Sequence, residues 1–256
     1  MKFLRLEGID KYDLDDPRRT VHHKEIIKSK PFLTKIYVEW YSNIKQLCSD
    51  APSGDIIELG SGGGFMKEVF TGIKTSDILE LPDNDFTFNA LAMPFEDNSV
   101  AAFVMVDVFH HVPDSELFVK EMYRCLKPSG LIVMSEPCTT WWSKIIFKNF
   151  HHEPFNEKGD WTIPGTGPMS DANGALPWIV LERDKEKFNK LFPSLRITAL
   201  QKHSPLKYLL SGGVSMKSLV PNWSYGLIAG LEKITSNVLP GFALFQFIKI
   251  TKTVDL

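Results

Sequence analysis

Cysteine is scarce in this chain. Cys48, Cys125 and Cys138 are the only three, an odd number with no C-x-x-C spacing. They offer no disulfide framework and no zinc cluster, and point to a reducing compartment, the cytoplasm. Long apolar runs are missing too. The longest outside the central segment, 242–250, falls well short of the 18 or so residues of a membrane span. The opening stretch 1–20 becomes charged within a few positions, so no secretory leader is expected. Charge of one sign is not in excess: 29 Lys and Arg face 31 Asp and Glu, a net charge of −2, which argues against a broad nucleic-acid-binding surface. There is no internal repeat and no low-complexity tract. What the chain does have is 43% apolar and 12% aromatic residues over 256 positions. That supports one large catalytic unit with an elaborated cap.

The organising stretch is 55–70, DIIELGSGGGFMKEVF. Its first five residues form a short apolar run with an acid, which reads as a buried parallel strand. Gly60, Gly62, Gly63 and Gly64 follow at once, with Ser61 between, and missing Cβ atoms there let a ligand lie against the backbone. Residues 65–70 resume at helical spacing, so strand, turn and helix would offer free N–H groups to a polar or anionic ligand. A dinucleotide fingerprint would place its third glycine where Phe65 stands, and Phe65 is too bulky for close helix packing. Ahead of this unit, 21–50 carries a helical pattern broken at Pro31, while 1–20 reads as irregular. After it, 73–79 reads as a second strand. Asp77 lies about twenty residues beyond Glu58, where a second-strand carboxylate accepts ribose hydroxyls. A buried strand follows at 101–107. Asp114 caps a helix over 115–126 with Leu117, Val119, Met122 and Leu126 as its apolar positions, and 131–137 is a further strand.

The glycine string E-x-G-x-G-x-G resembles the first motif of class I S-adenosylmethionine (SAM) dependent methyltransferases. The stretches N-A-L-A-M-P-F-E-D-N-S-V at 89–100, F-H-H-V-P at 109–113 and E-M-Y-R-C-L-K-P-S-G-L-I-V-M-S-E-P at 121–137 resemble the ubiquinone-biosynthesis type of small-molecule methyltransferase. This resemblance covers 55–137 and implies an α/β fold, a three-layer sandwich with a mostly parallel seven-stranded sheet. It implies SAM as cofactor, with Glu58, Gly60, Ser61, Gly62, Asp77, Ile78, Asn89, Ala90, Leu91 and Asp107 around it. Asn89 stands where the family has an acid near the adenine amine; its carbonyl can still accept that bond. The N/D-P-P-Y/F motif of enzymes that methylate base amines is absent, so nucleic acid is not expected as substrate.

Domain organisation reads as a helical cover over 1–50 and a methyltransferase unit over 51–256, with acceptor-side elements at 138–181 and 204–241. The segment 141–150 is an amphipathic helix and 151–178 is long and irregular, which is more often functional than idle. A helix over 182–192, a strand at 195–200 and another at 242–250 would close the sheet as an antiparallel hairpin. The acceptor reads as a small molecule, glycan or lipid precursor, with no transmembrane segment and room for peripheral membrane contact. Candidate acid–base groups are His111, His151, His152 and Glu153, with His111, His152 and Glu153 taken as the catalytic set. No metal is expected, because adjacent histidines point apart on most backbones and lack the three- or four-residue spacing of a helix face. A SAM-binding protein without turnover and a nicotinamide or flavin oxidoreductase are the rival readings.

Overall fold

The structure, a computed structural model, describes residues 4–151, 153–165 and 167–254. Two helices come first, α1 (Pro17–Ser29) and α2 (Pro31–Leu47). Asp16 caps α1 by accepting the Arg18 N–H, and Pro17 holds its first position, so the helix begins inside the stretch expected to be irregular. The remaining elements are β1 (Ile56–Glu58), β2 (Lys74–Asp77), β3 (Phe86–Thr87), β4 (Val100–Val106), α3 (Ser115–Cys125), β5 (Leu126–Pro137) and α4 (Trp141–Phe150). Then come α5 (Leu176–Trp178), α6 (Lys185–Leu191), β6 (Leu195–His203), α7 (Lys207–Ser211), α8 (Tyr225–Val238) and β7 (Phe245–Lys252).

The seven strands form one sheet in the order β3-β2-β1-β4-β5-β7-β6. β1 to β5 pair in parallel, whereas β7 runs antiparallel to both β5 and β6. The sheet is therefore mixed rather than mostly parallel, and its two antiparallel ladders, 131–137 on 245–251 and 195–203 on 245–252, are its longest. β4 is buried from Val100 to Met105 within the core that α2 and α3 also enter, which is why it reads as an unbroken apolar run.

Two local expectations fail for physical reasons. Residues 65–70 form only a 3-10 turn, Met66–Glu68, because Thr71 and Gly72 leave too few residues before β2 to offset helix nucleation. Their apolar side chains Phe65, Met66 and Phe70 are buried all the same. In α3 the buried face is Phe118, Val119, Met122 and Cys125, and Leu117 points outward. The three cysteines are buried free thiols.

Candidate functional site

Strand order reverses between β1 and β4, and in open α/β sheets the crevice beyond the carboxyl ends of the strands at such a point receives the ligand. Gly60 leaves β1 with φ of 61°, and a Cβ there would stand 2.6 Å from Val108 Cγ2, so the two loops close on each other only through glycine. Gly62 also has positive φ, at 48°, and its N–H donates to Asp77 Oδ2 at 2.9 Å. The Leu79 N–H meets Asp77 Oδ1 at 2.9 Å. Burial pushes the Asp77 carboxyl up, against the pull of these N–H groups. α1 lies directly on the loop: a Cβ on Gly63 would stand 2.9 Å from Lys24 N and 3.0 Å from Thr20 O. From α2, Tyr41 Oη accepts the Phe65 N–H at 3.3 Å. Glu58, at the end of β1, is buried and its carboxyl is pushed up to about 7 by that burial.

Around the expected adenine position, Ile78 is exposed, Asn89 is exposed, and Ala90 and Leu91 are half-buried. Asn89 Oδ1 accepts the Leu91 N–H at 2.9 Å, so the oxygen expected to meet an exocyclic amine already closes an Asx turn and keeps one lone pair for a ligand. The phenyl rings of Phe86 and Phe88 pack edge-on against Phe95 behind this turn.

Asp107 ends β4 with φ of 55°, a left-handed conformation uncommon outside glycine and often found at functional sites. Its Oδ1 is buried with no hydrogen-bond partner. Burial pushes its carboxyl up to about 8, with the charges of Glu136 and Glu153 adding to the effect and His110 opposing it. Residues Phe109–His111 form a 3-10 turn that swings both imidazoles to one side, their ring centroids 4.3 Å apart, contrary to the expectation that they diverge. Glu136 at the end of β5 organises the turn. It is fully buried, and its Oε1 accepts the N–H groups of Val108 and Phe109 at 2.8 and 2.7 Å while Oε2 meets His110 Nδ1 at 2.7 Å.

The irregular segment after α4 folds back onto this turn. Asn173 N donates to His110 O, Ile163 N to Pro113 O and Ser115 N to Trp161 O. The fold-back carries Glu153 to the imidazoles: Oε2 lies 3.4 Å from His110 Nε2 and Oε1 lies 3.7 Å from His111 Nε2, with His151 Nδ1 3.6 Å away. His111 Nδ1 donates to the Asp171 carbonyl at 3.0 Å. Burial pushes the His111 imidazole down to about 4, and the neighbouring His110 adds to the shift. His110 is also penalised by burial, yet Glu136 and then Glu153 hold its imidazolium well above the usual range. Burial alone would raise Glu153, but His110 first and the other imidazoles after it hold its carboxyl well below the usual range.

Of the expected catalytic residues, His111 and Glu153 thus meet, while His152 lies outside the described residues. His110 and Glu136 were not singled out from the sequence, although the doubled histidine and the S-E-P run at the end of a strand were visible. His110, His111 and Glu153 each present one ligand atom within 4.8 Å of the others, a donor set chemically able to hold a divalent cation.

Residues 57–134 match the methyltransferase domain family. No curated protein matches the chain. Among solved structures, a chain of the Haloferax volcanii complex of the Trm112 methyltransferase activator aligns over 93% of this chain and 95% of its own at 12% identity, with a TM-score of 0.51. A SAM-dependent methyltransferase of Thermotoga maritima, described as a possible histamine N-methyltransferase, is 17% identical over 91% of this chain and 100% of its own, with a TM-score of 0.46. Geranyl diphosphate C-methyltransferase of Streptomyces coelicolor is 15% identical over 94% and 87%, with a TM-score of 0.44. The chain carries a SAM-dependent methyltransferase domain, and SAM is its cofactor.

Proposed function

We propose that this protein transfers the methyl group of SAM to a hydroxyl-bearing small molecule, glycan or lipid precursor, and that His111 and Glu153 manage the acceptor's proton. The carrying observation is the His111 tautomer, which leaves Nε2 as a base beside the Glu153 carboxylate. A carbonyl can only accept, so His111 gives its Nδ1 proton to Asp171, and the neutral ring then turns its Nε2 lone pair toward Glu153 Oε1 3.7 Å away. A hydroxyl of the acceptor brought to this Nε2 would have a base for its one proton. SAM, when bound, would supply the electrophilic methyl, and Nε2 would take the proton that the hydroxyl gives up. The developing imidazolium is stabilised by the Glu153 carboxylate. His110, held as a cation by Glu136, keeps Glu153 ionised and oriented.

In this reading Gly60, Ser61 and Gly62 would hold SAM along the glycine turn, Asp77 would take its ribose, Ile78, Asn89, Ala90 and Leu91 would take its adenine, and Glu58 and Asp107 would serve its cationic end. Within the methyltransferases, the stretches 89–100 and 121–137 favour the ubiquinone-biosynthesis type. The test is methyl-labelled SAM incubated with fractionated extract, followed by His111→Ala and Glu153→Gln on the labelled acceptor. Both variants should keep SAM affinity, and at least one should lose turnover by about a hundredfold or more. Full turnover in both would leave proximity alone as the mechanism, and activity lost on chelation would reassign the cluster to a cation.

A further inference from the structure

The segment between β6 and β7 turns an apolar face to solvent that methyl transfer does not use. Trp223, just ahead of α8, and Leu227, Leu231 and Ile234 within it recur four, four and three residues apart, on one helical face. They are 77, 66, 58 and 65% exposed. Gly226 and Gly230 lie next to this face, with no atom within 4 Å of where a Cβ would stand. Past the helix, Leu239, Trp141 and Ile145 are exposed as well, and Trp141 packs edge-on against Phe242 at 4.5 Å. An exposed apolar stripe of this length is unusual for a surface that meets only water.

The helix is not free to roll this face inward. Its other side carries Glu232, which is buried, accepts the Leu206 N–H at 2.6 Å and pairs with the Lys207 ammonium at 3.3 Å. Lys207 in turn reaches Glu39 of α2 at 2.6 Å, and Tyr225 Oη donates to Glu39 at 2.6 Å. α8 is thus clamped through its polar side, and the outward orientation of its apolar side is built in.

The exposed charge that the segment itself carries has one sign. Between Glu186 and Asp255 the chain has nine Lys and Arg residues and one acid, Glu232, which is buried. Lys217 and Lys233, the latter within α8, are exposed, and 204–241 has no exposed acidic side chain. A second copy seated on this face would set these lysines against each other with no acid in the segment to answer them. An apolar stripe with a tryptophan at one end and a lysine rim suits the headgroup boundary of a bilayer containing acidic lipids.

We propose that this face docks the protein peripherally on an anionic lipid bilayer, with α8 in the headgroup plane, Trp223, Leu227, Leu231 and Ile234 inserted, and Lys217 and Lys233 against lipid phosphates. Vesicle flotation of the full chain tests this without SAM turnover, so the result stands apart from the methyl-transfer reading. The protein should float with vesicles of one part phosphatidylglycerol to two parts phosphatidylcholine, and should float less with phosphatidylcholine alone or in high salt. Leu227→Glu with Ile234→Glu should weaken vesicle binding by about tenfold or more while the SAM-induced thermal shift persists. Lys217→Glu with Lys233→Glu should remove only the preference for acidic vesicles. As a control against misfolding of the double variant, Trp223→Ala should abolish a component of tryptophan quenching by brominated lipids. Failure to float with either vesicle, equal binding to both, or unchanged binding in the double variant would each overturn the proposal. So would light scattering that shows a dimer which Leu227→Glu with Ile234→Glu dissolves, since a second copy would then cover the face.

Discussion

Asp77 carries two tasks on one carboxylate: it fixes the glycine turn through the Gly62 N–H and, in the proposed pose, accepts ribose hydroxyls with its remaining lone pairs. Asp77→Ala should therefore weaken SAM by more than a single bond, each charge-assisted bond being worth about 1.5–3 kcal/mol. Calorimetry giving an unchanged affinity would remove Asp77 from the cofactor site. Gly63 makes a different demand. The atoms a Cβ would meet are backbone atoms of α1, which cannot yield as a flexible side-chain end can. Gly63→Ala is expected to lift α1 from the loop at a cost of about 1–3 kcal/mol. Thermal melting should show the loss, and a melt indistinguishable from the parent would mean that α1 is only loosely seated.

At the scale of elements, the end of β5 is wedged under the loop that follows β4. Glu136→Ala leaves the Val108 and Phe109 N–H groups and His110 Nδ1 without their acceptor, and should cost about 3–5 kcal/mol in urea unfolding. A loss below about 1 kcal/mol would show that the loop can repack around water. This wedge also marks where sequence reading stops. β1, β4 and β5 were legible because strands covered on both faces must be continuous apolar runs. Asp114 and the glycine turn were legible because capping and positive φ restrict residue type locally. The partnership of Glu136 with His110 depends on register, Val106 opposite Ser135, which no local pattern encodes. Glu153 could be suspected only as part of an H-H-E run, since its approach to His111 requires the hydrogen bonds made by Trp161, Ile163 and Asn173, spread through a segment with no periodicity. The antiparallel hairpin was legible, but the length of its ladders, which makes the sheet mixed, was not.

Over the whole molecule, the buried charges pull stability in opposite directions with pH. Glu58 and Asp107 have folded values raised to about 7 and about 8 from ordinary values of 4.5 and 3.8. The stability each contributes is fully present below its ordinary value and is lost as pH rises through the raised one. Glu153 and His111 are lowered, so their contributions are present above their ordinary values and are lost as pH falls through the lowered ones. In the proposed pose the ligand acts on the first pair. SAM brings a sulfonium and an ammonium, and a cation beside a buried neutral carboxyl favours its ionised form. Binding at neutral pH should therefore expel protons, and SAM affinity should strengthen from pH 6 to pH 8, as Glu58 and Asp107 lose the protons that binding would otherwise have to remove. Titration calorimetry in buffers of different ionisation heat reads the protons directly. Asp107→Asn should reduce both the proton release and the pH slope, and should gain stability over the parent at pH 8 but not at pH 4. Equal heats in all buffers, with a flat pH profile for the parent, would mean that the cationic end of SAM does not approach these two carboxyls.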